Sequence, residues 1–351
     1  MKIAIDVREA LVEKPAGKGM LVRFLVEALL KEKPSFKLVL LCGENQKAPA
    51  HWPVRKIKAA GFWWHLYLIL ILPFSDIDLF VSPLSAIVPA LLIGQPSLPL
   101  VMDLSAWRYP KEQKLKTILL DKLFLPLAVK RAQKVIVISR FTKDELEKIL
   151  KVKSSKIAVM PLGPTLAGEE KIKLPYEKYL LYLGTLEPRK NLERLIEAYQ
   201  LAGKIIQLPP LLLAGRLGWK SASITELMKK TSGIDYLGYV SESQKRMLIK
   251  NALGFLYPSL YEGFGLPPLE ALFLGVPTLV SQAASLPEVC GQAAVYVNPV
   301  DVESIKQGII DLMKPVVQAR LRRLGPEQAE KFSWERAAKI LINTINEIIR
   351  L

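Results

Sequence analysis

The chain has 351 residues, half of them apolar and 23% charged, which excludes a disordered polymer and leaves room for two domains with separate cores. Its two cysteines, Cys42 and Cys290, are far apart and lack metal-ligand spacing. That excludes a disulfide scaffold and suits a reducing compartment such as the cytoplasm. The net charge is +16 and unevenly spread: residues 1–175 carry 28 Lys and Arg against 16 Asp and Glu, the remainder 21 against 17. The N-terminal half is therefore the one expected to meet an anionic partner, whether nucleic acid, an acidic membrane surface or a phosphorylated acceptor.

In chain order, Lys2–Val7 reads as a strand and not as a signal peptide, because acidic residues interrupt any apolar stretch. A Gly17-Lys18-Gly19 loop and a helix over 20–31 follow, an order that lets backbone approach a phosphate. Val39–Cys42 is the next strand. The apolar run Phe62–Phe74 is shorter than the roughly 20 residues a bilayer requires. It reads first as a buried core helix, and second as an interfacial segment that dips into lipid. Asp76 and Asp78 form an Asp-x-Asp pair able to hold a divalent metal, but they directly precede the strand Leu79–Ser82, where acidic residues mark a turn. No metal site is expected there.

Leu100–Leu104 is a strand that includes Met102-Asp103, and Val135–Ile138 is another, closed by Ser139. Thr142 to Glu145 read as a capping box opening a helix to Leu150. Ile157–Met160 completes a set of strands and helices that predicts an α/β, doubly wound parallel sheet. The Pro-, Gly- and charge-rich segment Pro164–Tyr176 reads as a linker. Tyr179–Leu183 then starts a second set and leads into Arg189-Lys190, adjacent cations suited to clamp a diphosphate at a helix start. Strands follow at Leu211–Ala214 and at Ile234–Leu237, the latter leading to Gly238-Tyr239-Val240. A last amphipathic helix runs from Ser333 to Ile349.

The organising stretch is Leu256–Ser281. It sets Glu262 directly before Gly263-Phe264-Gly265-Leu266, then an apolar helix opened by Pro267 and Pro268 and closed by Gly275. Glycines let the backbone come close to a ligand, in front of helix amides that favour an anion. Glu270, eight positions after Glu262, can accept hydrogen bonds from vicinal hydroxyls, as acidic residues do on a ribose.

The Glu-x7-Glu pair inside EGFGLPPLE closely resembles the donor-site signature of retaining family-4 glycosyltransferases, also called glycosyltransferase group 1. GTLEPRKNL, YLGYVSES and FSWERAAKIL extend the resemblance over nearly the whole C-terminal half; DVRE, GKG and VISRFTKDEL extend it more loosely over the first. It implies the GT-B fold, two Rossmann-like domains facing across a cleft. Residues 1–165 would be the acceptor-side domain and 176–332 the nucleotide-sugar domain, with the last helix, about 333–351, packing back on the first. Arg189 and Lys190 would hold the donor diphosphate and Glu270 the ribose. Glu262 with the backbone of Gly263, Phe264, Gly265 and Leu266 would grip the sugar. Main chain at Tyr239 and Val240 would meet the base, while Gly17 and Gly19 approach the phosphates. The implied catalytic set is Arg189, Lys190, Glu262 and Asp103.

One departure stands out: relatives often carry His-Asp where this chain has Met102-Asp103, and methionine neither donates a hydrogen bond nor carries charge. The resemblance implies transfer of a hexose, with a lean to mannose from GDP-mannose, onto a glycan or lipid-linked acceptor in polysaccharide biosynthesis. It implies neither cofactor nor metal and no nucleic-acid partner; the location would be cytoplasmic, peripheral at an anionic membrane surface. The alternative is a weak or inactive relative that binds a nucleotide sugar as a scaffold.

Overall fold

A computed structural model describes residues 1–350 except 14–16, 167, 169–173 and 175, and except the Arg350 side chain. The chain divides into two compact units. The first comprises Met1–Pro110, Leu115–Leu162 and Ser333–Leu351; the second comprises Lys111–Lys114 and Gly163–Phe332. Of the linker expected over Pro164–Tyr176, residues 167, 169–173 and 175 lie outside the described residues, whereas Thr165 is buried.

The first unit is built on seven parallel strands: β1 (Lys2–Asp6), β2 (Lys37–Gly43), β3 (Val54–Ile57), β4 (Leu79–Ser82), β5 (Ser97–Val101), β6 (Val135–Val137) and β7 (Ile157–Val159). They lie in the order β3-β2-β1-β4-β5-β6-β7. β1, β4 and β5 are apolar on both faces and almost wholly buried, as strands covered by helices on both sides must be. The helix Trp334–Arg350 belongs to this unit. Trp334 stacks on Phe24 with ring centroids 5.8 Å apart, and Lys31–Glu335 and Lys134–Glu347 pair at 2.9 and 2.6 Å.

The second unit holds β8 (Leu180–Leu183), β9 (Leu211–Ala214), β10 (Ile234–Gly238), β11 (Gly254–Tyr257), β12 (Thr278–Ser281) and β13 (Ala294–Val297). Their order is β10-β9-β8-β11-β12-β13, all parallel. Strand order therefore reverses between β1 and β4 in one unit and between β8 and β11 in the other. In open α/β sheets, ligands bind outside the carboxyl ends of the strands at such points. Just past β9, Gly215 has φ +138°, and a Cβ there would lie 1.9 Å from the Gly184 carbonyl oxygen. Gly215→Ala must displace backbone, so we expect a loss of about 3 kcal/mol, read as a lower thermal midpoint.

Three local expectations change. The helix begins at Gly17 and runs to Glu32, so Gly17 and Gly19 lie in its first turn and not in a loop. Glycine fits there because the first amides of a helix have no intrahelical partner. Ser139, not Thr142, caps the helix Arg140–Leu150: its hydroxyl accepts the Thr142 amide at 3.0 Å. Residues 61–71 are helical, but Trp64 and Leu68 are the only buried side chains in that helix, with Leu72 just beyond. Phe62, Leu70 and Phe74 are 74, 57 and 90% exposed, so the run is a core helix on one face only. An apolar run this uniform has no periodicity from which to tell its inner face from its outer one. Two further helices, Val302–Leu312 and Pro315–Ala329, precede the last one.

Candidate functional site

The site forms in the second unit where β8 and β11 end. Beyond β8, the turn Pro188–Lys190 presents Arg189 and Lys190, and Asn191 in the left-handed conformation starts the helix Leu192–Gly203. The Asn191 side chain ties this turn to the loop after β11 by donating to the Pro258 and Pro299 carbonyls at 3.0 and 2.6 Å. Beyond β11, Ser259 and Glu262 lead to Gly265, whose φ of +109° caps the helix Leu266–Phe273. A Cβ on Gly265 would sit 2.6 Å from Leu286 Cδ2, so both conformation and space call for glycine.

Three of the expected residues converge. Lys190 Nζ is 2.5 Å from Glu262 Oε1 and 2.9 Å from the Tyr257 hydroxyl. Arg189 Nη1 donates to the Tyr261 carbonyl at 2.5 Å and to Glu262 Oε2 at 3.4 Å, while its Nη2 donates to Glu187 at 2.8 Å. Ser259 Oγ donates to Glu262 Oε1 at 2.7 Å. Burial alone would push the Glu262 carboxyl up, but the Lys190 and Arg189 charges outweigh it and hold the pKa down at about 2. Burial, then the Arg189 charge, lowers the Lys190 pKa against the pull of Glu262. The result is a buried carboxylate held by two cations, with Glu187 as the second acidic partner of Arg189, beside helix amides.

Glu270, 1% exposed, takes a different set of partners. Its Oε1 accepts from the Thr165 amide at 3.2 Å, from the Thr165 hydroxyl, and from Lys245 Nζ at 2.8 Å. The backbone of Gly263–Leu266 lies between the two glutamates, with Ser285 Oγ donating to the Glu262 and Phe264 carbonyls at 2.9 and 2.8 Å. The Phe264 ring packs away edge-on against Phe332, which leaves main chain as the polar surface of this loop. Tyr239 and Val240 follow β10; Tyr239 is 40% exposed, with the Arg216 guanidinium 4.7 Å above its ring.

Gly17, Gly19 and Asp103 belong to the other unit. Asp103 follows β5, and its Oδ1 accepts the Ser105 amide at 2.9 Å, opening a short helix. Asp76 pairs with Lys2 and, at 2.9 Å, with Arg55, which accounts for its carboxylate as a surface ion-pair member. No cluster of three metal-ligating side chains occurs among the described residues. Sequence reasoning missed Lys245, Thr165, Tyr257, Ser259 and Arg216. Of these, only Ser259 carried a signal, being a small polar residue just past an otherwise apolar strand.

Residues 169–327 match the family model described as glycosyl transferases group 1. O-antigen chain mannosyltransferase B of Escherichia coli is 35% identical over 232 residues, 60% of this chain and 60% of that protein. O-antigen chain mannosyltransferase RfbU of Salmonella typhimurium is 30% identical over 191 residues, 54% of this chain and 53% of that one. The chain thus spans less than two thirds of these relatives. Among solved structures, sucrose-phosphate synthase from Thermosynechococcus elongatus superposes with a TM-score of 0.81 at 19% identity, covering 100% of this chain and 99% of that one. WaaG, a glycosyltransferase involved in lipopolysaccharide biosynthesis, gives 0.71 at 14% identity, covering 97 and 98%.

Proposed function

We propose, from the premise that this chain has the GT-B fold and that its residues 169–327 belong to the glycosyl transferases group 1 family, that the protein is a retaining hexosyltransferase. It takes a nucleotide diphosphate sugar as donor, with no bound cofactor, and passes the hexose to a hydroxyl of a glycan or lipid-linked acceptor. The observation that carries this reading is the buried Arg189–Lys190–Glu262 cluster at the ends of β8 and β11, beside an open-backbone glycine loop. Mannose is the hexose favoured, because the curated relatives named above are mannosyltransferases; GDP-mannose is then the donor.

In this mechanism the cations hold the diphosphate and stabilise the charge that grows on it as the glycosidic bond breaks. The leaving diphosphate accepts the acceptor's proton, so Met102 in place of histidine leaves the step feasible. Thermal-shift screening against a panel of nucleotide sugars, followed by transfer assays, tests the reading. A ligand at 100 times its dissociation constant stabilises by about 2.7 kcal/mol. Stabilisation by GDP-mannose with turnover is expected, whereas stabilisation without turnover would make the protein a nucleotide-sugar-binding scaffold.

The location proposed is cytoplasmic and peripheral to an anionic membrane. No helix among the described residues is long and apolar enough to cross one. Leu70, Ile71 and Phe74 are exposed in the first unit, as are Leu115, Leu119 and Leu123, a stripe at four-residue spacing on the helix Leu115–Arg131. Lys116 and Lys122 sit in that helix too, and each cation near acidic lipid adds about 1 kcal/mol of attraction. We expect co-sedimentation with acidic vesicles at low salt, weakened at high salt. Absence from the pellet at both salt levels, with full activity on a soluble acceptor, would rule the location out.

A further inference from the structure

We infer that the cavity at the amino ends of β5 and β6 is a second binding site, and that its ligand is a phosphate monoester that also carries a hydroxyl. The site is independent of the transfer reading above. The cavity has a volume of about 330 Å³, in the range of small-molecule sites, and lies wholly within the first unit. Pro89 and Leu92 supply apolar lining, Gln95 and Ser97 bring the chain into β5, and Arg131 and Gln133 come from the connection between the helix Leu115–Arg131 and β6. Gly94, at φ +78°, turns the chain from the helix Ile87–Leu91 toward β5. Ser97 opens β5, whose opposite end leads to Asp103, so this site and the carboxyl ends of the strands lie at opposite edges of one sheet.

Arg131 is the charged group. Its Nη1 donates to the Ala90 carbonyl at 2.5 Å, which tethers the guanidinium. It pairs with no carboxylate among the described residues, so the Nε–Nη2 edge keeps two parallel donors, the fork that fits two oxygens of a phosphate. Gln95 donates from Nε2 to the Ile77 carbonyl, which makes its other amide atom an acceptor. That acceptor, Oε1, is buried and has no hydrogen-bond partner among the described residues. Buried polar atoms are nearly always paired, so Oε1 calls for a donor. Ser97 is buried as well, and its hydroxyl makes no hydrogen bond among the described residues. A ligand hydroxyl answers both, since it donates and accepts.

The surrounding charge selects the anion. Lys156 Nζ donates to the Lys130 and Ala132 carbonyls at 3.0 and 2.8 Å, so the end of the helix presents an ammonium where bare carbonyls would repel an anion. Lys130 and Lys134 flank Arg131, and Glu347 pairs with Lys134 at 2.6 Å. Asp76 and Asp78 stand on either side of Ile77, but Asp76 is taken by Lys2 and Arg55, and Asp78 accepts the Lys2 amide at 2.7 Å. The surplus is positive, and a phosphate monoester, with nearly two charges and three acceptor oxygens, answers it more fully than a carboxylate. Leu91 and Ile93 are exposed beside the cavity, so the ester has two sources, a soluble phosphorylated polyol or a lipid headgroup.

The test uses the full chain. Calorimetry compares glycerol 3-phosphate with inorganic phosphate, and co-sedimentation compares phosphatidylcholine vesicles with and without phosphatidylinositol 4-phosphate. In at least one arm the hydroxylated ester should bind, and in the soluble arm about five-fold more tightly than inorganic phosphate. Arg131→Gln should weaken that binding about ten-fold and Ser97→Ala about three-fold. Arg189 and Lys190 are intact in all three proteins, so phosphate held there cancels from the comparison. Arg131→Gln also releases the Ala90 carbonyl, so its thermal midpoint is read; if the midpoint falls, Ser97→Ala, which breaks no bond among the described residues, decides alone. Loss in the vesicle arm only makes the ligand a headgroup, and loss in the soluble arm makes it the free ester. No binding in either arm, inorganic phosphate bound as tightly as the soluble ester, or affinity unchanged in Ser97→Ala would overturn the site.

Discussion

Lys190→Ala is expected to lower turnover at saturating donor by about 10²–10³-fold, the scale seen when a preorganised donor to a developing anion is removed. The lysine is buried and held by Glu262 at 2.5 Å and Tyr257 at 2.9 Å, so its ammonium is already in place before the glycosidic bond breaks. A rise in the Michaelis constant alone would make Lys190 a binding group and not a catalytic one. The same substitution should alter acid stability. Glu262 has its pKa depressed from 4.5 to about 2, so its pairing contributes stability that is present above pH 4.5 and lost as pH falls through about 2. A shift of that size corresponds to about 3 kcal/mol. With Lys190 gone, the carboxyl loses its largest opposing charge, and acid unfolding should begin at higher pH. An acid limb identical to wild type would refute the pairing.

Glu270→Ala should weaken nucleoside diphosphate binding by about 1.5–3 kcal/mol, the worth of a hydrogen bond to a charged group. Oε1 is taken by Thr165 and Lys245, which anchors the carboxylate from one side and leaves Oε2 for the ribose hydroxyls. Calorimetry with GDP and with its 2′,3′-dideoxy analogue checks this directly. Wild type should discriminate between the two, and the alanine variant should not. Equal affinity of wild type for both, or unchanged GDP affinity in the variant, would remove Glu270 from the ribose. Because Lys245 is buried and also pairs with Glu242 at 2.6 Å, Glu270→Gln serves as the variant that keeps the site's shape.

Much of this was legible along the chain. Uninterrupted apolar strands such as Leu180–Leu183 and Leu211–Ala214, each followed by glycine and a helix, specify parallel α/β units because only strands covered on both faces read that way. EGFGLPPLE marks a tight approach before a helix, because Gly265 needs positive φ and the prolines need a first turn. Those are local requirements, and local sequence states them.

The partners of each charge are another matter. That Lys190 and Glu262 meet across 72 positions, and that Lys245 and Thr165 brace Glu270 from 25 and 105 positions away, follows from which strand ends come side by side. So does the meeting of Gln95, Ser97 and Arg131 around one cavity at the start of β5. The run Phe62–Phe74 shows the same division. Its hydrophobicity was plain, but which of its side chains lie inside was set by the sheet beneath it, since a helix apolar all round carries no mark of the face it will bury.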